Sequence, residues 1–210
     1  MRISNRNRGI FKYLCKKISR RYLRNASREY IKTKDQLVTF SFDFISQFIA
    51  IDGRFENQEL SLIEEIFSGL NPANFPDIKL FENKYQYNQM LVEKNILFYS
   101  NCEHHFVPII GKAHVAYISS GKVIGLSKIN RVVQHFAKRP QVQERLTMQI
   151  SDALKKVLET EDVAVVIDAT HLCVSSRGVK DVNSSTVTSH FSGQFAQEQT
   201  KNEFLKYLEL

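Results

Sequence analysis

The chain has 210 residues, of which 43% are hydrophobic and 24% are charged, and this composition excludes a wholly disordered protein. The length allows one or two domains with a substantial core. The formal net charge of +7 is uneven, because residues 1–34 hold 12 Lys and Arg against one acidic residue, and the mildly acidic remainder argues against nucleic acid as the partner of the body.

Location is indicated by three features of the sequence. No uncharged apolar segment is long enough to span a membrane, since the longest candidate, residues 37–51, carries Asp43. The three cysteines are odd in number, which predicts a reducing compartment without a disulfide framework, and hence the cytoplasm. The basic residues 1–34 also fit an organelle transit peptide or a solvated arm, and composition leaves both open.

The first 56 residues are predicted to be a basic extension with an uncertain helical region. A weak helical pattern covers residues 11–30, and residues 37–51 fit either a buried helix or a pair of strands. A folded domain is predicted over residues 57–210. It begins with a helix over residues 57–67, which Gly69 would end.

The body then changes from strands to helices and back. Strands are predicted over residues 79–87, 90–99, 114–118 and 122–126. Helices are predicted over residues 129–137 and 141–158, both with apolar stripes, and Pro140 separates them. Two more strands, from Val163 and over residues 186–191, precede a last helix over residues 198–208. This order predicts an α+β fold in which an antiparallel sheet packs against two long helices, preceded by an N-terminal helical region.

Two short clusters of cysteine and histidine predict a metal site. Both residue types are ligands that zinc prefers. A buried strand is predicted to lead into His171 and Cys173, and residues two apart on a strand share a face. Cys102 and His105 are three apart, so a turn can bring both onto one ion. We therefore predict a zinc ion held by Cys102, His105 and Cys173.

Three protein ligands are typical of a catalytic zinc site, whereas a structural site is normally closed by four. His104 and His171 would then lie beside the metal, where an imidazole can transfer protons near neutral pH. For either cluster alone, buried cysteines and ordinary histidines are the preferred interpretation. The two clusters together favour the metal.

Cations placed at a predicted helix start indicate a phosphate site. Ser127, Lys128 and Arg131 lie where free backbone N–H groups and the helix dipole favour an anion. Arg177, four residues after the second cluster, is a further candidate cation. The alternative is a set of solvated charges on an amphipathic helix.

A guanine site is a second possibility at the next helix. Gln143 and Glu144 offer an amide and a carboxylate, which match the donor-rich edge of guanine. A glutamate in a first turn is also an ordinary complement to the helix dipole, and on these residues alone that interpretation is preferred.

Taken together, these motifs resemble GTP cyclohydrolase I from about residue 64 to the C-terminus. The matching segments are CEHH at 102–105, GKAHVAYI at 111–118, VIGLSK at 123–128, RPQVQERLT at 139–147, HLC at 171–173 and RG at 177–178. Residues 1–63 lack the helical pattern that family members usually carry there.

The resemblance implies a tunnelling fold and a zinc-dependent hydrolase acting on cyclic amidine C–N bonds. Such an enzyme converts GTP and water to 7,8-dihydroneopterin triphosphate and formate, the first step of tetrahydrofolate and pterin biosynthesis. The family's zinc ligands match Cys102, His105 and Cys173, and its proton-transferring histidines match His104 and His171.

Substrate contacts and assembly are also implied by the resemblance. The family's members are homo-oligomers, typically decamers of two stacked pentamers, with sites shared between subunits. The family's guanine contacts match Gln143 and Glu144. Its triphosphate contacts match Ser127, Lys128, Arg131 and Arg177.

Two alternatives to this enzyme are consistent with parts of the sequence. The basic residues 1–34 would suit a non-catalytic, zinc-stabilised protein that binds nucleotides or RNA. A pterin or deazaguanine enzyme of the same superfamily is disfavoured, because the complete zinc set and the phosphate contacts are present.

Overall fold

The computed structural model describes residues 65–105 and 107–209. The predictions for residues 11–30 and 37–51 and for a domain boundary at residue 57 lie outside these residues. The helix predicted over residues 57–67 lies mostly outside them too; its described end, at residues 65 and 66, is helical. A short 3-10 helix, Ser68–Leu70, follows, and it contains the buried Gly69.

A compact unit covers Asn71–Leu210. Its strands are β1 (Leu80–Glu82), β2 (Met90–Cys102), β3 (Pro108–Ile118), β4 (Lys122–Ile124), β5 (Pro140–Gln141), β6 (Val163–His171) and β7 (Thr186–Phe191). Its α-helices are α1 (Leu126–Ala137), α2 (Gln143–Leu158), α3 (Leu172–Ser175) and α4 (Glu198–Leu208). None of the helices in the described residues is long and apolar enough to cross a membrane.

The main sheet has the strand order β5-β2-β3-β6-β7, and β1 pairs with β4 in a separate two-stranded sheet. The pairings of β2 with β3, β3 with β6 and β6 with β7 are antiparallel. The short β5 is the exception, because it runs parallel to the end of β2 and pairs Gln141 with Cys102. The sheet is therefore antiparallel except at this edge. The prediction of an antiparallel sheet is wrong for the pairing of β5 with β2.

Helices α1 and α2 pack their apolar stripes into the main hydrophobic core with strands of the sheet. Burying each such side chain contributes roughly 1.5–3 kcal/mol. A second, smaller core joins Phe204 of α4 to Ala116 and Ala164 of the central strands. This arrangement confirms the predicted α+β class. The fully buried members of the main core include Phe98, Ile129, Val132, Val133, Leu146, Ile150, Leu154 and Val165.

The strand predicted over residues 79–87 is wrong beyond its first part, because only Leu80–Glu82 is extended. The Asn83 side chain bonds the backbone of Tyr87 twice, donating from Nδ2 to the carbonyl and accepting from the N–H, each at 3.0 Å. Gln86 between them has a φ of 49°, in the left-handed region. An asparagine that bonds nearby backbone in this way competes with strand pairing.

Other boundaries also differ from the predicted ones. The strand predicted over residues 122–126 stops at Ile124, and α1 begins at Leu126, three residues early, after Gly125 at its N-cap. The second helix begins at Gln143, since Pro140 and Gln141 are held in β5. Strand β3 extends the prediction for residues 114–118 back to Pro108.

Strands β3 and β6 approach each other unusually closely at Gly111, which pairs with Ala169. A Cβ atom at Gly111 would lie 2.5 Å from the Ala169 Cβ and 2.6 Å from the Asp168 carbonyl oxygen. Glycine is therefore required by space at this position.

His135 of α1 is buried in a cluster of rings and one guanidinium. The Arg139 Nη2 lies 3.0 Å from its Nε2, and the rings of Phe75 and Phe136 each lie 5.2 Å away, edge-on. Burial, and then the Arg139 charge, lower the pKa of His135 to about 4, against a smaller opposing effect of a hydrogen bond with the Asn74 backbone. The folded protein thus holds this ring neutral above about pH 4.

This shift predicts a loss of stability in acid. The unfolded chain protonates His135 near pH 6.5 and the folded chain only near pH 4, so protons favour unfolding between these values. The free energy of unfolding should fall by roughly 3 kcal/mol between pH 7 and pH 4 from this residue. Urea titrations at several pH values measure it. His135→Leu should show a shallower pH dependence than the unaltered chain, and equal slopes would contradict the prediction.

Candidate metal centre

The first half of the site is the turn between β2 and β3. Strand β2 ends at Cys102, whose backbone N–H donates to the Val107 carbonyl at 2.9 Å and so closes the turn. The Cys102 side chain is buried, and its Sγ lies 3.7 Å from the His105 Nδ1. The turn therefore brings together the two side chains that are three residues apart, as predicted.

The second half is the end of β6 and the helical turn after it. The register of β3 and β6 pairs Ile109 with His171, which brings the end of β6 beside the start of β3. Cys173 lies in α3 rather than on a strand, so the prediction that His171 and Cys173 share a strand face is wrong. The chain leaves the sheet at Leu172, where a helical turn closes with the Ser176 N–H donating to the Leu172 carbonyl at 2.9 Å.

The two halves meet in spite of this difference. The Sγ atoms of Cys102 and Cys173 and a ring nitrogen of His105 all lie within 4.8 Å of one another. Zinc binds sulfur at about 2.3 Å and imidazole nitrogen at about 2.0–2.1 Å, which places tetrahedral ligands roughly 3.3–3.8 Å apart. The 3.7 Å separation of Cys102 and His105 fits such an ion, and the predicted convergence of the three side chains is confirmed.

The pKa shifts of Cys173 and His105 bear on how the group would hold a cation. Burial raises the pKa of the Cys173 thiol, and the neighbouring Cys102 raises it further. A divalent ion would offset both effects, because a thiol binds metal as the thiolate. Burial, followed by the charges of Arg177 and His104, lowers the pKa of His105, which favours the neutral ring that binds metal.

His171 is held by a buried amide. Its Nε2 lies 2.6 Å from the Gln143 Oε1, and Gln143 is only 2% exposed. The Gln143 Nε2 donates to the carbonyls of Ile167 and Thr186 and to the Thr188 hydroxyl, at 2.8–3.1 Å. Because the amide nitrogen is committed as a donor, the amide oxygen accepts from the His171 Nε2–H, and Nδ1 is the acceptor of the neutral ring. Burial also lowers the pKa of His171, and the Glu144 charge opposes this.

The other predicted residues near the cluster are exposed. His104 has its Nδ1 4.0 Å from the Cys102 Sγ and its ring 6.1 Å from that of His105. Glu144, in the first turn of α2, and Arg177, just after α3, are both on the surface. The charge of Arg177 lowers the pKa values of His105 and Cys173, so this guanidinium lies close to the cluster.

Three of the predicted phosphate contacts lie together on helix α1. Ser127, Lys128 and Arg131 lie at the start of α1, as predicted. The Lys128 Nζ donates to the Asp77 carbonyl at 2.7 Å. Among the described residues none of the three is bonded to the cysteines or histidines of the cluster, and their role toward substrate stays a prediction, as does that of Gln143.

Sequence reasoning assigned no role to an ion pair beside the cluster. Glu103 is 3% exposed and is bonded to the Arg145 guanidinium of α2. The sequence does place the Glu103 carboxylate between two predicted ligands, in a turn that the strands on either side would bury. A buried carboxylate needs a charged or hydrogen-bonding partner, and sequence alone does not name that partner.

These observations define an α+β protein with a Cys–His–Cys group at the ends of β2 and β6 that could hold a metal ion. The sequence model of the family described as GTP cyclohydrolase I matches residues 56–209. The chain therefore belongs to the GTP cyclohydrolase I family, and the resemblance seen in the motifs is confirmed.

Individual relatives agree with this assignment. GTP cyclohydrolase 1 of Flavobacterium johnsoniae is 68% identical over 148 residues, which cover 70% of this chain and 66% of that protein. GTP cyclohydrolase 1 of Escherichia coli K12 is 57% identical over 145 residues, which cover 69% of this chain and 65% of that protein. The chain thus spans slightly less than two thirds of the length of these curated relatives. The crystal structure of the archaeosine synthase QueF-Like in the apo form aligns with 16% identity and a TM-score of 0.43, over 50% of this chain and 94% of that one.

Proposed function

We propose that this chain is a zinc-dependent hydrolase that converts GTP and water to 7,8-dihydroneopterin triphosphate and formate. The observation that carries the proposal is the convergence of Cys102, His105 and Cys173 in a member of the GTP cyclohydrolase I family. Relatives named GTP cyclohydrolase 1, at 57% and 68% identity, support the choice of substrate and reaction.

Zinc would be held by these three side chains. When bound, it acts as a Lewis acid that makes a hydroxide nucleophile available near neutral pH. The net reaction needs water at C8 of the guanine and cleavage of the imidazole ring, followed by release of C8 as formate. The remaining atoms keep the triphosphate and close into the pterin after the ribose rearranges.

His104 and His171 are the proposed proton carriers. Opening the imidazole ring requires a proton on a ring nitrogen, and release of formate requires further transfers. His171 suits this work because Gln143 fixes its orientation and its tautomer at the edge of the cluster. His104 suits it because it is exposed beside Cys102. Each positioned proton transfer contributes typically about 10²–10⁴-fold to the rate.

Recognition of GTP is assigned to two further sets of residues. Glu144 is proposed to bind the guanine edge, because its exposure in the first turn of α2 leaves the carboxylate accessible. Gln143 beside it was predicted to share this role, but both atoms of its side-chain amide are already bonded within the chain, so its contribution is to hold His171 next to the guanine. The triphosphate is proposed to contact Ser127, Lys128, Arg131 and Arg177. Because the chain belongs to the GTP cyclohydrolase I family, we propose that it is a homo-oligomer, a decamer with a tunnelling fold, in which sites are completed across subunits.

The proposed reaction is the first step of tetrahydrofolate and pterin biosynthesis, and we propose that it takes place in the cytoplasm. It is tested by incubating the purified, zinc-loaded chain with GTP and following both formate and the fluorescence of the oxidised pterin. We expect the two products in equal amounts, with ATP as a matched control that yields neither. A zinc-loaded preparation that releases no formate from GTP would overturn the proposal.

A further inference from the structure

A buried ion pair connects the metal-binding turn to helix α2. Glu103, between Cys102 and His104, is 3% exposed, and the Arg145 side chain bonded to it is 32% exposed. Buried ion pairs rarely add net stability over an apolar replacement, because desolvation offsets their attraction. A pair of this kind next to three metal-binding side chains suggests that its value lies in fixing a geometry.

Arg145 is itself held in place by the chain that precedes α2. Its Nε donates to the Gln141 Oε1 at 3.1 Å, and its Nη2 donates to the Pro140 carbonyl at 3.0 Å. Gln141 is fully buried, and its backbone carbonyl accepts from the Glu103 N–H at 3.0 Å. The turn is thus tied to β5 and α2 through both the backbone and the side chain of Glu103.

The same helix start also holds the other half of the cluster. Gln143, two residues before Arg145, accepts from His171, and its amide nitrogen is bonded to the β6 carbonyl of Ile167. Cys173 follows His171 by two residues. The start of α2 therefore contacts the segment before Cys173 through Gln143 and the turn after Cys102 through Arg145.

We infer that Glu103 and Arg145 are positioning residues that set the zinc affinity of this chain, by holding the turn of Cys102 and His105 at a fixed distance from Cys173. This inference rests on the metal site of the proposed function and does not require GTP turnover. Neither side chain supplies a ligand atom. Their effect is to reduce the freedom that the two ligand segments would have to lose when an ion binds.

The test is a measurement of zinc affinity on the folded full chain by competition with a chromophoric chelator. Glu103→Gln keeps the size of the side chain and removes its charge, and it should raise the zinc dissociation constant about 10–100-fold. Arg145→Met should do the same. Because the two residues act as a unit, the double variant should lose little more than either single variant. The absorption bands of the cobalt-substituted protein should shift in all three variants, because the ligand geometry relaxes.

The matched control is Glu159→Gln, which breaks an exposed ion pair with Lys122 at 2.8 Å and should leave the zinc dissociation constant unchanged. A role in folding alone would lower the thermal midpoint of the metal-free protein and leave the affinity and cobalt spectrum of the folded protein as they are. That result would overturn the inference. If Glu103→Gln fails to fold, the zinc affinity of Arg145→Lys is measured in its place. Lysine keeps the positive charge but lacks the guanidinium group that bonds Glu103, Gln141 and Pro140 together. An unchanged zinc affinity in this variant would contradict the inference.

Measuring GTP turnover on the same preparations separates the two proposals. If the unaltered chain binds zinc but does not convert GTP, the proposed function fails and the inference about Glu103 and Arg145 stands on its affinity data. If the unaltered chain binds no zinc, both are overturned.

Discussion

Replacing Cys102 or Cys173 by alanine should abolish zinc binding and GTP turnover together. Each substitution removes one of three ligand atoms that lie within 4.8 Å of one another, and an imidazole and one thiolate cannot replace the lost bond. We expect the zinc dissociation constant to rise by more than the 10–100-fold that loss of an outer partner costs. Metal content and formate release measured on one preparation test this.

Two variants serve as controls for the cysteine substitutions. His104→Ala should keep its zinc and lose about 10²–10⁴-fold in turnover, because we assign His104 to proton transfer and not to the ion. Cys15→Ala, which changes the third cysteine, outside the predicted ligand set, should keep both zinc and turnover. If His104→Ala strips the metal, the assignment of the three ligands is wrong.

Gly111→Ala should destabilise the fold and disturb the metal centre from a distance. The added methyl group would lie 2.5 Å from the Ala169 Cβ and 2.6 Å from a backbone carbonyl, so β3 and β6 must separate. We expect the free energy of unfolding to fall by roughly 3 kcal/mol, the upper end of the usual cost of overpacking. Zinc affinity should weaken as well, since β6 carries His171 two residues beyond Ala169. Urea denaturation and zinc competition measure the two effects.

Gly125→Ala is the matched control for this substitution. A Cβ atom there meets only the Lys128 Cγ, at 3.9 Å, and the φ of −66° suits any residue. The cost should be about 1 kcal/mol or less, from the weaker N-cap that alanine provides. Equal destabilisation by both substitutions would show that the closeness of β3 and β6 is not the cause.

The helices show which features the local hydrophobic pattern can predict. Leu146, Ile150 and Leu154 recur at helical spacing, and all three are buried on the inner side of α2. The pattern identifies the helix because helix formation depends on residues close together in sequence. The pattern does not predict where α2 begins, because Gln141 pairs in β5 with the end of β2, a segment far away in sequence. It likewise missed the end of β1, where the side chain of Asn83 outcompetes strand pairing.

The sequence by itself determined the chemistry of this protein: which residues can bind zinc, that Cys102 and His105 can share a turn, and the α+β order of its elements. Only the tertiary structure decided how Cys173 reaches them, through the pairing of Ile109 with His171 and a helical turn in place of the expected strand. It also decided that Gln143 orients His171 and that Glu103 pairs with Arg145. The reason is physical, because ligand type and periodicity reside in single residues and their neighbours. Strand register and the partner of a buried charge depend on packing between distant segments.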